Sequence, residues 1–282
     1  MGLYSGDTKI ARLCLAASVM KTISTKNINV RGVTSVDDKL FVLLQRDVNQ
    51  VAVCSMNDYQ LLRHLNLPGL KSHDRNDLTS CVRHKCLYMS DNNKGCICRY
   101  DLATNATSRW EVPSATPKCL SVTPSCNLLV TCQRPNKLVE LSADSGQCVR
   151  EIALQSDIVR PWHAVQLTSG QYVICHGSYN SLHRVCVVDG EGKVTHSYGG
   201  KCGPLWDQLN MPSHVAVDED SQYIFAADCF NERVTLLSPT LEYADYYYSR
   251  IGNSCPCRLY LHHTTRRLYV GQAFGDVVVI QL

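Results

Sequence analysis

A chain of 282 residues with 45% hydrophobic and 19% charged side chains carries enough apolar material for a sizeable core, which excludes a disordered protein. Its 28 basic and 25 acidic side chains leave a formal charge of +3, too small a surplus for the electrostatic footprint of a dedicated nucleic-acid binder. No apolar stretch approaches the roughly 18–20 residues that span a bilayer, so membrane insertion is not expected.

The opening Met1-Gly2 has Gly6 where a myristoylation motif asks for Ser or Thr. Lys9 and Arg12 precede a short apolar run from Leu13 to Val19, at the low edge of a signal-peptide core, and strand-like sequence follows at once. From there an apolar strand core recurs six times, beginning at Leu40, Leu87, Leu128, Tyr172, Ile224 and Leu268, at spacings of 41 to 52 residues. A period of about 40–50 residues signals blades or a solenoid. Each core is followed by a polar turn and a second apolar run, from Gln50-Val51-Ala52-Val53 in the first unit to Asp276-Val277-Val278-Val279-Ile280 in the last. A shorter strand precedes each core, and in four units it opens with proline: Pro117, Pro161, Pro212 and Pro256. Proline suits the start of a strand because it has no N–H to give to the ladder. A further strand follows the hairpin, as in Gln147-Cys148-Val149-Arg150-Glu151-Ile152 after the turn Asp144-Ser145-Gly146.

These units predict an all-β fold, a six-bladed β-propeller of four-stranded antiparallel blades. The chain ends inside a strand at Leu282, so the last blade needs an outer strand from the N-terminal segment, either near Lys9–Ala16 or near Val19–Ser24. Pairing the two open edges would remove an aggregation hazard. No Gly/Ser-rich or Pro-rich linker divides residues 1–282, so a single domain is expected, and a closed ring has no need of a second copy. The run Tyr243, Tyr246, Tyr247, Tyr248 reads as an outer strand with one exposed face.

Six of the sixteen cysteines, Cys54, Cys81, Cys132, Cys175, Cys186 and Cys229, sit in apolar strand-like segments, where a free thiol behaves as a small hydrophobe. The close pairs Cys96/Cys98 and Cys255/Cys257 lack the two-residue gap of a zinc knuckle. Reduced structural cysteines in a cytoplasmic protein are therefore expected.

In the fifth unit, Pro212-Ser213-His214-Val215-Ala216-Val217-Asp218 leads to Ile224-Phe225-Ala226-Ala227-Asp228-Cys229-Phe230-Asn231-Glu232-Arg233-Val234. This resembles an NHL repeat. The second unit keeps Ser90-Asp91-Asn92, and the fourth keeps Asn180 and Arg184. The resemblance implies that Asp228 and Arg233 brace the hairpin turn. It also implies a function similar to that of the propellers ending tripartite-motif proteins, which bind proteins or RNA. Nothing here resembles a RING finger or B-box, so ligase activity does not follow.

Reading two residues past each proline places Cys119, His163, His214 and Arg258 at the start of the inner strands, with Gly32 and Thr79 in that place in the first two blades by a looser alignment. They are expected to converge near one mouth of the channel, where Arg31, Arg134, Arg160 and Trp162 add cationic and aromatic character. Three readings compete: polar plugs bonded to backbone or water, a recognition surface for a peptide or an RNA segment, and a metal site. Propellers similar to these that are amidating lyases carry their zinc histidines directly after the proline; Lys118, Trp162, Ser213 and Cys257 stand there. Calcium-dependent lactonases of similar shape need an acidic set at the inner-strand starts, which is not evident. The expectation is a non-catalytic platform for a protein or peptide, with RNA as the other partner class and no metal or cofactor. The alternative is a metal-assisted lyase or hydrolase working in the channel.

Overall fold

Strands such as Leu128-Leu129-Val130-Thr131-Cys132-Gln133 are buried at every position instead of at every second one. That continuous pattern belongs to a sheet covered on both faces, and it is why each sheet here lies between two others. The computed structural model describes residues 18–26, 28–45, 48–71, 76–178, 182–248 and 255–282. The opening Met1-Gly2, the Lys9–Ala16 alternative, most of the run from Leu13, and Asn180 lie outside these residues.

The chain enters through β1 (Ser18–Ile23). The first blade then holds β2 (Asn29–Val36), β3 (Lys39–Gln45), β4 (Val48–Ser55) and β5 (Leu61–Lys71), and the second β6 (Leu78–Cys81), β7 (Cys86–Asp91), β8 (Cys96–Asp101) and β9 (Thr107–Glu111). The third contains β10 (Thr116–Val122), β11 (Leu128–Gln133), β12 (Lys137–Leu141) and β13 (Cys148–Ala153), and the fourth β14 (Pro161–Gln166), β15 (Tyr172–His176), β16 (His183–Val188) and β17 (Val194–Gly200). The fifth is β18 (Pro212–Val217), β19 (Ile224–Asp228), β20 (Arg233–Leu237) and β21 (Tyr243–Tyr248). The sixth joins β22 (Pro256–His262), β23 (Arg267–Gln272) and β24 (Val277–Gln281) to β1. All neighbours in the six sheets are antiparallel, and the architecture is a six-bladed β-propeller.

Of the two segments expected to close the ring, the one near Val19–Ser24 does so: β1 pairs with β24 from Ser18↔Gln281 to Ile23↔Val277. Thr25 fastens the junction, its Oγ1 donating to the Gly275 carbonyl at 2.7 Å and its N–H to Asp276 Oδ1 at 2.9 Å. Six apolar clusters fill the six blade-to-blade interfaces, and that between the last and first blades joins Tyr269, Val277 and Val279 to Val30, Leu40 and Val42. Each buried Val, Leu or Ile contributes about 1.5–3 kcal/mol, so an open ring would forgo a whole cluster.

The expected brace in the fifth blade is present. Arg233 Nε donates to Asp228 Oδ2 at 2.8 Å, and its Nη2 donates to the carbonyls of Leu205 and Gln208 at 2.9 and 2.7 Å, which ties the preceding loop to the hairpin. In the fourth blade His176 stands in the aspartate's place and accepts from Arg184 Nε at 3.2 Å, while Arg184 Nη2 donates to Asp157 Oδ2 at 2.7 Å. The tyrosine strand β21 differs from expectation. Tyr243, Tyr246 and Tyr247 are all half-buried, because Tyr247 packs against the cluster on one side of the blade and Tyr243 against that on the other.

Candidate functional site

Five inner strands carry a β-bulge near their start, between Val30 and Gly32, Pro117 and Cys119, Pro161 and His163, Pro212 and His214, and Pro256 and Arg258. A bulge inserts one extra residue and re-aims the strand. Gly32, Cys119, His163, His214 and Arg258 thereby occupy one equivalent position each, opposite Leu43, Thr131, Cys175, Ala227 and Gly271. In the second blade the same position is Asp77, not Thr79. Asp77 faces Ser90, accepting its N–H at 3.1 Å and donating its own to Ser90 Oγ at 2.8 Å, while Thr79 pairs two places further on with Tyr88. That blade has no proline to mark the register, which is why the looser alignment slipped by two.

These residues converge inside the ring and turn their polar groups on one another. Cys119, His163, His214 and Arg258 are buried, and so is Asp77. Arg258 Nε lies 3.0 Å from Asp77 Oδ1 and donates to the Arg31 carbonyl at 2.6 Å. Asp77 Oδ2 accepts the Leu120 N–H at 2.8 Å. Burial pushes the Asp77 carboxyl up, and the Arg258 charge pulls against it. The imidazoles of His163 and His214 stack with centroids 3.5 Å apart and planes 17° apart. His163 donates from Nε2 to the Leu120 carbonyl at 3.1 Å and accepts the Val215 N–H at Nδ1 at 3.4 Å, while His214 Nδ1 accepts the Leu259 N–H at 3.4 Å. The partners thus dictate the tautomer of His163, since a carbonyl requires a donor and an N–H an acceptor.

Burial pulls His163 down to about 3, with the Arg258 charge adding to it, and holds His214 well below 6.5, helped by His163 and Arg258. Both are neutral near pH 7 and far from the matched pKa that general acid–base work asks of a histidine. Asp77, His163 and His214 each bring a potential metal-ligating atom within 4.8 Å of the others. Both nitrogens of His163 and one carboxylate oxygen of Asp77 are committed to backbone groups, however, and the Arg258 guanidinium already supplies the cation beside the other oxygen. The set fits a polar plug better than a metal centre.

The rim residues divide. Arg31 Nε donates to Gln45 Oε1 at 2.6 Å. Trp162 is buried, its Nε1 donates to the Gly177 carbonyl at 3.0 Å, and Lys118 and Arg160 lie 5.1 and 5.9 Å from its ring, so it is not an open stacking platform. Arg134 and Arg160 are exposed.

Antiparallel order puts the turns between second and third strands, and the loops between blades, at the end where the inner strands begin. Three large aromatics stand out there: Trp206 in the loop before β18, Phe230 between β19 and β20, and Phe274 between β23 and β24, exposed by 65%, 49% and 70%. Sequence reasoning passed over them; the available signal was a large aromatic inside an otherwise polar turn. The opposite end holds a funnel of about 500 Å³, with His163 and His214 in its lining, hydroxyls of Thr34, Thr79 and Ser121 on its walls, and Glu219 and His263 at turns nearby.

Ring and plug define the chain as a six-bladed β-propeller. Among solved structures it is similar to selenomethionine-substituted virginiamycin B lyase from Staphylococcus aureus, with a TM-score of 0.66 and 11% identity over 94% of this chain and 99% of that one. It is equally similar to a catalytically inactive variant of that lyase with quinupristin, with the same TM-score, identity and coverage. At this identity the likeness concerns the fold. No family profile and no curated protein sequence matches the chain.

Proposed function

We propose that this propeller is a non-catalytic binding platform, similar to NHL-type domains, that recognises a protein or peptide at the end where its inner strands begin. The observation that carries this reading is the exposure of Trp206, Phe230 and Phe274 at one end, together with Arg134 and Arg160, while the polar side chains of the channel are turned inward on one another. Trp and Arg are enriched at the energetic centres of interfaces, and large exposed aromatics form their apolar anchors. The partner that fits offers apolar side chains flanked by carboxylates. The plug residues Cys119, His163, His214 and Arg258, with Trp162 and Arg31, hold the face in shape from below. The domain acts as a monomer in a reducing compartment such as the cytoplasm, where its described cysteines persist as free thiols. Among the described residues no helix is long and apolar enough to cross a membrane.

The test is capture of bound material on the full chain and on a variant with Arg134, Arg160, Trp206, Phe230 and Phe274 all replaced by alanine, with and without ribonuclease. Loss of the same nuclease-resistant species in the variant supports the reading; a nuclease-sensitive species assigns the face to RNA, and full retention removes recognition from this end. A second reading, a metal-assisted lyase or hydrolase, is favoured by the funnel with His163 and His214 in its lining. Stoichiometric zinc or calcium in purified protein would revive it.

A further inference from the structure

Apart from the plug, one cluster whose sulfur belongs to a residue lining the funnel has the composition of an activated nucleophile. Cys81 closes β6, His84 sits in the turn of residues 82–85, and Asp144 comes from the next blade, between β12 and β13. Cys81 Sγ lies 3.2 Å from His84 Nδ1, and His84 Nε2 lies 3.5 Å from Asp144 Oδ1. A carboxylate can only accept, so it favours the tautomer with the proton on Nε2 and leaves the Nδ1 lone pair facing the thiol. Cys81 is only 2% exposed, yet it lines the funnel, as does Cys126. Burial pushes its thiol up, with Cys126 and Cys86 contributing in the same direction, so the resting group is the thiol. Such a sulfur reacts only if a base in contact takes its proton.

We propose that Cys81 is a nucleophilic thiol of the funnel wall, with His84 as its base and Asp144 as a positioning residue, and that it takes up low-molecular-weight disulfides by thiol–disulfide exchange. The Cys81 proton passes to His84 Nδ1 as Sγ bonds to one sulfur of the incoming disulfide. The original S–S bond breaks, its electron pair leaves on the second sulfur, and that thiolate takes the proton back from His84. Cys81 is oxidised to a mixed disulfide and half of the reagent is reduced to a thiol, so no further reactant is needed. A disulfide suits this cluster better than a carbonyl, because attack on sulfur develops no oxyanion that would need its own donors.

The experiment uses the full chain, reduced, with the exposed Cys148 and Cys202 and the partly exposed Cys255, whose thiol the neighbouring Cys229 pulls down to about 7, changed to serine, and 2,2′-dithiodipyridine as the probe. Release of pyridine thione gives the rate and peptide mapping gives the site. Cys81 is expected to be labelled first, with the rate falling at least about tenfold in His84→Ala. Asp144 is 88% exposed, so Asp144→Asn leaves the fold intact; it is expected to slow labelling several-fold and Asp144→Glu to restore it. If Cys126 or another thiol is labelled before Cys81, or if the Asp144→Asn chain reacts at the parent rate, the proposal is wrong. That second comparison decides the matter even if His84→Ala unfolds the chain.

Discussion

Arg258 of the sixth blade and Asp77 of the second meet at 3.0 Å, with side chains only 7% and 1% exposed. The blade between them contributes Gly32 at the same level, which has no side chain to stand in the way. Removing one member of a buried pair strands the other charge, at about 3–5 kcal/mol. Arg258→Met and Asp77→Leu are each expected to destabilise by that order in urea unfolding. The double variant is expected to recover most of the loss, because two apolar groups leave no orphaned charge.

Gly32 makes a separate prediction. A Cβ there would collide with Leu78 Cβ and stand 2.8 Å from the Leu78 backbone nitrogen, neither of which can swing aside. Gly32→Ala is expected to cost about 1–3 kcal/mol as overpacking. Gly190, with nothing within 4 Å of its would-be Cβ, is the control, and Gly190→Ala should change stability by less than about 0.5 kcal/mol. Thermal midpoints of the two variants check the contrast.

The stacked histidines make the fold sensitive to acid. His163 and His214 titrate in the folded chain well below the ordinary 6.5, so between 6.5 and about 3 the unfolded chain binds protons that the folded chain refuses. Their contribution is complete above pH 6.5 and is lost as pH falls, at up to about 1.4 kcal/mol per pH unit for each histidine. Urea midpoints at pH 7.5 and 5.0 should differ steeply in the parent and less steeply in His163→Asn/His214→Asn. Equal slopes would mean that the pair is solvated.

Closure by β1 is tested by truncation. Removing residues 1–24 uncovers the edge of β24 and the Val277–Gln281 ladder that β1 satisfies. An uncovered edge recruits other strands. The truncated chain is expected to elute in size-exclusion chromatography as larger species than the full chain does; a truncated chain that elutes like the full one would show that the seal is dispensable.

The sequence alone determined the number of blades, the hairpin in each and the need for an N-terminal strand to complete the last, because these follow from local patterns: alternating turns, apolar runs fit to be covered on both faces, and an unpaired last strand; which of two N-terminal segments closes the ring was decided by the pairing of β1 with β24. The prolines at Pro117, Pro161, Pro212 and Pro256 also picked out four of the six channel residues, since a proline and the bulge after it mark the register locally. In the second blade, which lacks that marker, the local pattern points to Thr79 where Asp77 stands. Only the tertiary structure decided that these residues satisfy one another inside the ring. Their bonds run from His163 to Leu120 and Val215, 43 and 52 residues away, and from Arg258 to Arg31, 227 residues away. Which groups satisfy one another across a closed ring depends on all six inner strands at once, and no local pattern records it.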